Sequence, residues 1–303
     1  MISVVVPAYN ASATLRHTIE TAFRQTVLPT EVVIVDNASN DSTPEIIEAL
    51  KQKYPEKIRA LRVENNVGPA GARNLGWRHA TCEYISFLDA DDTWEESKIE
   101  KTIEYIRKGY NFLCHWEYLR EGSRTLQTLK YGTQKNLHYI SMLFGENQMS
   151  TSAVTVSREL LEKANGFDER QEFLSAEDLD LWLRLLKLGA RVGFIHEPLG
   201  SFILSPQSTS ASVVRHMEAI RRVIEHHYSQ IENPTALDRV KYSTKQARVM
   251  WGAGRHLQKQ KLLSEAFHYY TRSLKTMPLS WRPYQGLTSC ALQAARQSLP
   301  FQS

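Results

Sequence analysis

The chain has 303 residues, 42% of them hydrophobic and 23% charged, an ordinary balance for a globular fold large enough for a catalytic domain with an appendage. No apolar run approaches the ~18–20 residues of a spanning helix, and the opening "MISVVVPAYN" lacks basic residues and breaks at Pro7, so it reads as neither a secretory signal nor a transit peptide. The net charge of +4 hides an asymmetry: residues 240–303 carry ten Lys/Arg against Glu265 alone, so this stretch stands at +9 and the preceding 239 residues at −5. A basic tail on an acidic body implies that the tail faces something anionic, the alternative being a basic helical face bathed in solvent. Cys82, Cys114 and Cys290 are odd in number and scattered without metal spacing, which suits a reducing, cytoplasmic compartment.

The first hundred residues alternate. "ISVVV" (2–6) reads as a buried strand, and a helical pattern follows from Thr14 to Gln25. "EVVIV" (31–35) is a second strand, and "DSTPEIIEALKQKY" opens a helix with a Ser/Thr cap and Pro44 in its first turn. "IRALRV" (58–63), "PAGARNLGWRHA" and "YISFL" (84–88) supply a third strand, a third helix and a fourth strand. Such alternation with continuous apolar strands predicts a mainly parallel α/β sheet covered on both faces, with ligands gathering at the carboxyl ends of the strands. The unusual residues fall at those ends: Pro7-Ala8-Tyr9-Asn10, Asp36, Asn65-Asn66, and Asp89-Ala90-Asp91-Asp92.

From about residue 95 the alternation loosens. A helix over 95–108 leads to strands 110–119 and 125–131, a short helix near 137–144, a strand 152–156 and the helix "RELLEKA" ending at Gly166. "AEDLDLWLRLLKLGA" (176–190) is a further helix with Gly189 as its cap, followed by strands near 191–195 and 199–204. The Ser/Thr/Pro-rich "LSPQSTSAS" (204–212) marks the domain boundary: 1–205, with a first half 1–95 and a second half 96–205, then an all-helical 206–303. In that tail Ala253, Leu257, Ala266, Tyr269, Leu274 and Pro278 have the spacing of one tetratricopeptide-like hairpin, read as a packing unit because arrays need about three copies.

Three carboxylates within four positions need a reason. One Asp is a common N-cap, but three in a polar turn repel one another. "DADDT" also matches the D-x-D-x-T pattern of haloacid-dehalogenase-type phosphatases, with Asp89 as nucleophile and Asp91 as acid/base. That motif sits on the first strand, however, and leaves Tyr9, Asp36 and Arg73 without work. A divalent-metal site holding a diphosphate employs all of them. Tyr9 stacks beside a base, Asp36 accepts from a ring N–H, and Arg73 in "GPAGARN" reaches phosphate from a helix start.

Taken together, "VVVPAYN", "VIVDNASNDST", "NNVGPAGARNLG", "ISFLDADDTW" and "AEDLDLW" resemble the motifs of the family 2 glycosyltransferases, in that family's order, over residues 1 to about 205. The resemblance implies a GT-A fold, a nucleotide-diphospho-sugar donor, Mn²⁺ or Mg²⁺, and an inverting transfer to a glycan or lipid-linked acceptor, with no nucleic-acid partner. Carried over, Pro7 and Tyr9 frame the nucleoside, Asp36 reads the base, Arg73 sits near base and diphosphate, Asp89 meets the ribose or supports the metal, and Asp91 binds the metal. Asp92 is left to support the site or cap a helix. Acceptors of this family imply a tail docked peripherally on the inner, anionic face of a membrane.

Inverting transfer needs a base opposite the leaving group. Glu177-Asp178 resembles the family's E-D pair, in which the Asp is the base and Glu177 the alternative; the competing reading is a capping box at Ser175-Ala176-Glu177-Asp178. Asp178, Leu181, Trp182 and Leu185 share one helical stripe, which aims Asp178 inward, whereas Asp180, about 200° round, is expected to point away. "NGFDER" (165–170) resembles the Gly-Phe-Asp segment near the acceptor, with Phe167 and Asp168 read as structural. One departure stands out. Where relatives carry a Tyr-Arg pair and a His, this chain has Phe202, Ile203 and Ser205, so the leaving group must be stabilised by the metal with Arg73 or by basic residues of the tail, His196 and Arg215 being nearby candidates. That departure motivates the non-enzymatic alternative, a nucleotide-binding scaffold that kept the fold and lost the chemistry.

Overall fold

The computed structural model describes residues 1–132, 137–145, 149–204 and 211–298. The chain divides into two units, Met1–Met142 with Asn147–Pro206, and Leu143–Glu146 with Gln207–Ser303. The connector residues 205–210, including Ser205, lie outside the described residues.

The first unit is built on β1 (Ile2–Ala8), β2 (Glu31–Asp36), β3 (Ile58–Arg62) and β4 (Tyr84–Phe87), all parallel. Val4–Val6 and Val32–Val35 are fully buried, as continuous apolar strands must be when helices cover both faces. Those helices are α1 (Leu15–Phe23), α2 (Thr43–Lys53) and α3 (Gly68–His79). Gly76 lets α3 lie against β1: a Cβ there would sit 2.4 Å from Val5 Cγ1. Register places Ala8 opposite Asp36, so the loops leaving β1 and β2 emerge side by side.

Beyond β4 come the two-residue β5 (Thr93–Trp94), α4 (Lys98–Arg107), β6 (Phe112–Glu121), β7 (Arg124–Leu129), α5 (Tyr139–Phe144), β8 (Val154–Ser157), α6 (Arg158–Lys163), α7 (Glu177–Lys187) and β9 (Val192–Ile203). The sheet runs β3-β2-β1-β4-β8-β6-β9-β5, with β7 on β6. β8 lies antiparallel to β4 and β6, while β6 and β9 are parallel.

Two expectations change. The strands expected near 191–195 and 199–204 are one strand, β9, whose pairing with β6 shifts register either side of Trp116, opposite Pro198. Proline lacks the N–H a regular ladder needs, so the strand bends there instead of ending. At α2 the Ser42 side chain makes no capping bond. Asp41 accepts from Thr43 N–H (3.0 Å), Thr43 Oγ1 (2.6 Å) and Ser12 N–H (3.1 Å), and bonds from Ser12 and Thr43 hold its carboxyl well below the usual range.

The second unit contains α8 (Ala211–Ser229), α9 (Ala236–Lys259), α10 (Leu263–Thr276) and α11 (Trp281–Ser298). Thr235 and Asp238 form a full capping box at α9. Ala253, Ala266 and Tyr270 are fully buried where these helices meet. Tyr270 packs against backbone that only glycine permits, since a Cβ on Gly254 or Gly286 would lie 2.8 or 2.5 Å from its ring.

Candidate active site

The loops at the carboxyl ends of β1 and β2 are cross-tied before any ligand is considered. Asn10 N–H donates to Ser39 Oγ (3.0 Å), Asn40 N–H to Asn10 Oδ1 (3.0 Å), and Ala11 N–H to Thr43 Oγ1 (2.8 Å). Asn10 and Ala38 both adopt positive φ (49° and 61°), which keeps the two loops tight. Tyr9 projects from this frame half exposed, Pro7 is partly buried, and Asp36 is buried at the strand end. One Asp36 oxygen accepts from Ser39 N–H (3.0 Å) and the other lies 3.1 Å from Arg62 Nη1.

The loop after β4 treats its three carboxylates differently. Asp89 is partly exposed, and its Oδ1 lies 2.7 Å from Arg73 Nη2. Asp91 is exposed on the loop; partial desolvation, then the charge of Asp89, push its carboxyl up. Asp92 is buried at 2% exposure, with Oδ2 accepting from Ser152 Oγ at 2.5 Å and Oδ1 from Ile203 N–H at 3.1 Å. It therefore caps no helix, because α4 starts at Lys98 behind Ser97. Its role is to fasten the loop to the end of β9, and burial, followed by the charge of Glu117, raises its pKa well above the ordinary value.

The second carboxylate pair sits at the start of α7. Arg73 reaches it from α3: Nη1 lies 2.9 Å from Glu177 Oε1 while Nη2 holds Asp89. This guanidinium is 6% exposed. Burial opposes its charge, but Asp89 and Glu177 outweigh that and raise its pKa further. Phe167 (3% exposed) packs beneath it, with the guanidinium carbon 5.5 Å from the ring centre. Phe167 also makes edge contacts with Phe87 and Trp182, at 5.1 and 6.1 Å between ring centres. Asp168 forms an ion pair with Arg170 at 2.8 Å.

Asp178 is partly buried beside Glu177, and its Oδ1 accepts from Leu179 N–H at 2.7 Å. Burial, then the charge of Glu177, raise its carboxyl to about 7, against the opposing pull of Leu179 N–H and Arg73. The N-cap of α7 is Ala176, which offers no side-chain acceptor, and Ser175 before it has φ +76°. Asp180 corrects the helical-wheel expectation. It is 1% exposed, with Arg184 Nη2 at 2.6 Å, because α7 is enclosed nearly all round, its neighbouring Leu179, Leu181, Trp182 and Leu183 being buried as well.

Two supports have no motif that announces them. Ser152, on a 3₁₀ turn, accepts from Asp89 N–H (3.0 Å) and donates to Asp92, joining two positions of the carboxylate loop. Lys98 is fully buried, donates to Ser86 Oγ (2.9 Å) and Thr155 Oγ1 (3.2 Å), and lies 3.7 Å from the Trp94 ring centre. Burial depresses its pKa well below the usual value. Only its place beside Ile99 and Thr102 on the inner face of α4 hinted at this. At the departure from the family pattern, Ile203 pairs in register with Arg120, so a guanidinium on the neighbouring strand stands level with the position where relatives have one. Arg120 Nη2 is 3.3 Å from Glu95 Oε1. His196 is exposed, its ring tilted against that of Trp116 at 5.4 Å between centres.

The mostly parallel sheet with this strand order, the cross-tied loops at its carboxyl edge and one arginine joining a carboxylate of each cluster belong to a GT-A-like fold. The profile described as "Glycosyl transferase family 2" matches residues 3–162, and that of "Glycosyl transferase family group 2" matches residues 84–295. The chain belongs to the family 2 glycosyltransferases and is an enzyme of that class. It is 30% identical over 193 residues to the UDP-Glc:alpha-D-GlcNAc-diphosphoundecaprenol beta-1,3-glucosyltransferase WfaP of Escherichia coli, covering 63% of this chain and 72% of that one. In fold it is similar to residues 1–349 of Staphylococcus aureus TarS (TM-score 0.65, 18% identity, covering 99% of this chain and 93% of that one). It is also similar to the mannosyltransferase PcManGT of Pyrobaculum calidifontis in complex with GDP-Man and Mn²⁺ (TM-score 0.63, 17% identity, covering 100% and 88%).

Proposed function

We propose that this glycosyltransferase moves a sugar from a nucleotide-diphospho-sugar to a hydroxyl of a glycan or lipid-linked acceptor, with inversion and with a divalent cation at Asp91. The observation that carries the reading is the division of labour around Arg73: Asp89 and Glu177 are its ion-pair partners, leaving Asp91 and Asp178 outside those pairs. The lipid-linked acceptor class is supported by WfaP, whose name specifies a diphosphoundecaprenol substrate.

The residues present fit a cation that is shared with the donor. Among the described residues no group of three or more His, Cys, Asp or Glu side chains could hold a metal alone. Asp91 instead offers one exposed hard-oxygen donor outside the Arg73 ion pairs, which suits Mn²⁺ or Mg²⁺ shared with a diphosphate. Bound there, such an ion supplies Lewis-acid stabilisation of the departing diphosphate. PcManGT, of the same fold, is in complex with Mn²⁺.

The remaining roles belong to the chain. Tyr9 and Pro7 flank the nucleoside, and Asp36, held by Ser39 and Arg62, lines the base end. Arg73 ties the donor loop to the start of α7 and keeps Glu177 paired. Asp178 takes the proton from the acceptor hydroxyl, and a carboxyl at about 7 is well matched to that task near neutral pH. No described helix is long and apolar enough to cross a membrane; we assign the contact with an anionic membrane face to the basic helical unit.

A thermal-shift panel of nucleotide-sugars with and without Mn²⁺ tests the reading, since a donor that binds only the native state raises the melting temperature by mass action. A metal-dependent shift with one nucleotide-sugar is expected, followed by a product of inverted anomeric configuration by NMR. Retention of configuration, or phosphate release from simple phosphomonoesters requiring Asp89, would overturn it.

A further inference from the structure

The turn between α10 and α11 and the first turn of α11 place three large apolar side chains in solvent within six residues: Leu279 is 90% exposed, Trp281 66% and Tyr284 53%. A lone exposed leucine needs no explanation, but a leucine with a tryptophan and a tyrosine on one tip does. Immediately beside the tip lies a pocket of about 270 Å³. Its polar lining includes Thr244, Ser280, Arg248 and Arg282, and its apolar lining includes Leu279 and Trp281. The Arg282 guanidinium carbon sits 5.3 Å from the centre of the Trp251 ring, which also lines the pocket.

A pocket with guanidinium and hydroxyl groups, opening onto exposed leucine and tryptophan, matches a ligand with a phosphate at one end and an alkyl chain at the other. We propose that this is the docking point for an anionic phospholipid of a bilayer: Leu279, Trp281 and Tyr284 enter the interfacial layer while Arg248 and Arg282 receive a lipid phosphate. Aromatic side chains with an apolar body and a polar edge are the residues that favour that layer. The charge of the segment selects this occupant over a second copy of the chain. Residues 240–303 carry ten Lys/Arg against one acid, so two copies of this segment repel each other, whereas an anionic bilayer attracts it. The inference rests on the membrane-facing role assigned above to the helical unit and gives it named residues.

Flotation of the full chain with vesicles tests it, using phosphatidylcholine alone and equimolar phosphatidylcholine and phosphatidylglycerol. The chain is expected to float with the anionic vesicles, to be released by high salt, and to stay behind with phosphatidylcholine alone. Leu279→Ser with Trp281→Ser is expected to lower partitioning at least about tenfold, and Arg248→Gln with Arg282→Gln to lower it comparably. Because Leu279 is almost wholly exposed, the single Leu279→Ser variant keeps the fold and gives a smaller loss in the same direction. Equal flotation with both vesicles, no flotation, or displacement by inorganic phosphate would overturn the proposal, the last by showing a soluble anion to be the ligand. So would a dimer in sedimentation that Leu279→Ser with Trp281→Ser dissolves. Donor hydrolysis by each variant is read alongside: loss of flotation with hydrolysis intact bears on the docking tip alone, and absent hydrolysis in the unaltered chain bears on the transferase reading.

Discussion

The two carboxylate clusters of this enzyme have similar composition and opposite treatment. In the loop after β4 the chain buries Asp92, pairs Asp89 with Arg73, and leaves Asp91 outward. At the start of α7 it buries and pairs Glu177 and leaves Asp178 enclosed without a full counter-charge, so that its carboxyl rises to about 7. An exposed carboxylate beside another negative charge suits a cation arriving with a ligand. A half-enclosed one next to a paired glutamate suits a group that takes up a proton near neutrality. Arg73 touches both clusters, and the contrast depends on it.

The sharpest break in the comparison is Asp178→Asn, which keeps the shape and removes the proposed base. Transfer is expected to fall by about 10²–10⁴-fold while the thermal shift given by the donor is retained. Next is Asp91→Ala, for which a loss of roughly 10²–10³-fold in metal-dependent turnover is expected, together with loss of the Mn²⁺-dependent thermal shift. A normal donor shift in Asp91→Ala would detach that residue from the metal.

Arg73→Met strands Glu177 as a buried, uncompensated charge, an effect on the order of 3–5 kcal/mol of stability, read as a lowered denaturation midpoint. Glu177→Gln is gentler and more diagnostic. It removes the second cause of the raised Asp178 carboxyl, so the acidic limb of the pH–rate profile is expected to move toward lower pH by up to about one unit. Ser152→Ala, which unties Asp89 N–H from Asp92, is expected to cost about 1 kcal/mol of stability, with turnover reduced only a few-fold.

Stability should carry the same signature. Between the ordinary carboxylate range and about 7, native Asp178 holds a proton that the unfolded chain has lost, so its contribution to stability diminishes as pH rises through that window. Asp178→Asn, neutral throughout, is therefore expected to melt roughly 2–4 °C higher than the unaltered chain at pH 8, a stability gained where function is lost. Equal melting temperatures at that pH would show that the carboxylate is not strained by its surroundings.

The parallel half of the fold was legible because its signals are local. Buried apolar strands, helix starts and polar strand ends recur with a regular period, and the family 2 motifs fall at those ends. The antiparallel half was less so. β9 looked like two strands because Pro198 interrupts the pattern, and only the pairing with β6 shows that the strand bends and continues. Asp180 was misread because a helical wheel assumes one solvent face, whereas α7 is enclosed and Arg184 neutralises the inward charge. Ser152 and Lys98 gave little sign of their roles, since each acts through partners more than ten residues away. The bridging role of Arg73 was also out of reach: its motif suggested phosphate, while its partner Glu177 lies 104 residues further along the chain.

The most direct test of the central claim is the pH dependence of sugar transfer, or of donor hydrolysis with Mn²⁺, in the unaltered chain and in Asp178→Asn. The account predicts that the unaltered enzyme loses activity tenfold per pH unit below about 7, and that the variant is slow and flat across the same range. A variant that retains both the rate and the acidic limb would contradict it and return Asp178 to a purely structural place at the start of α7.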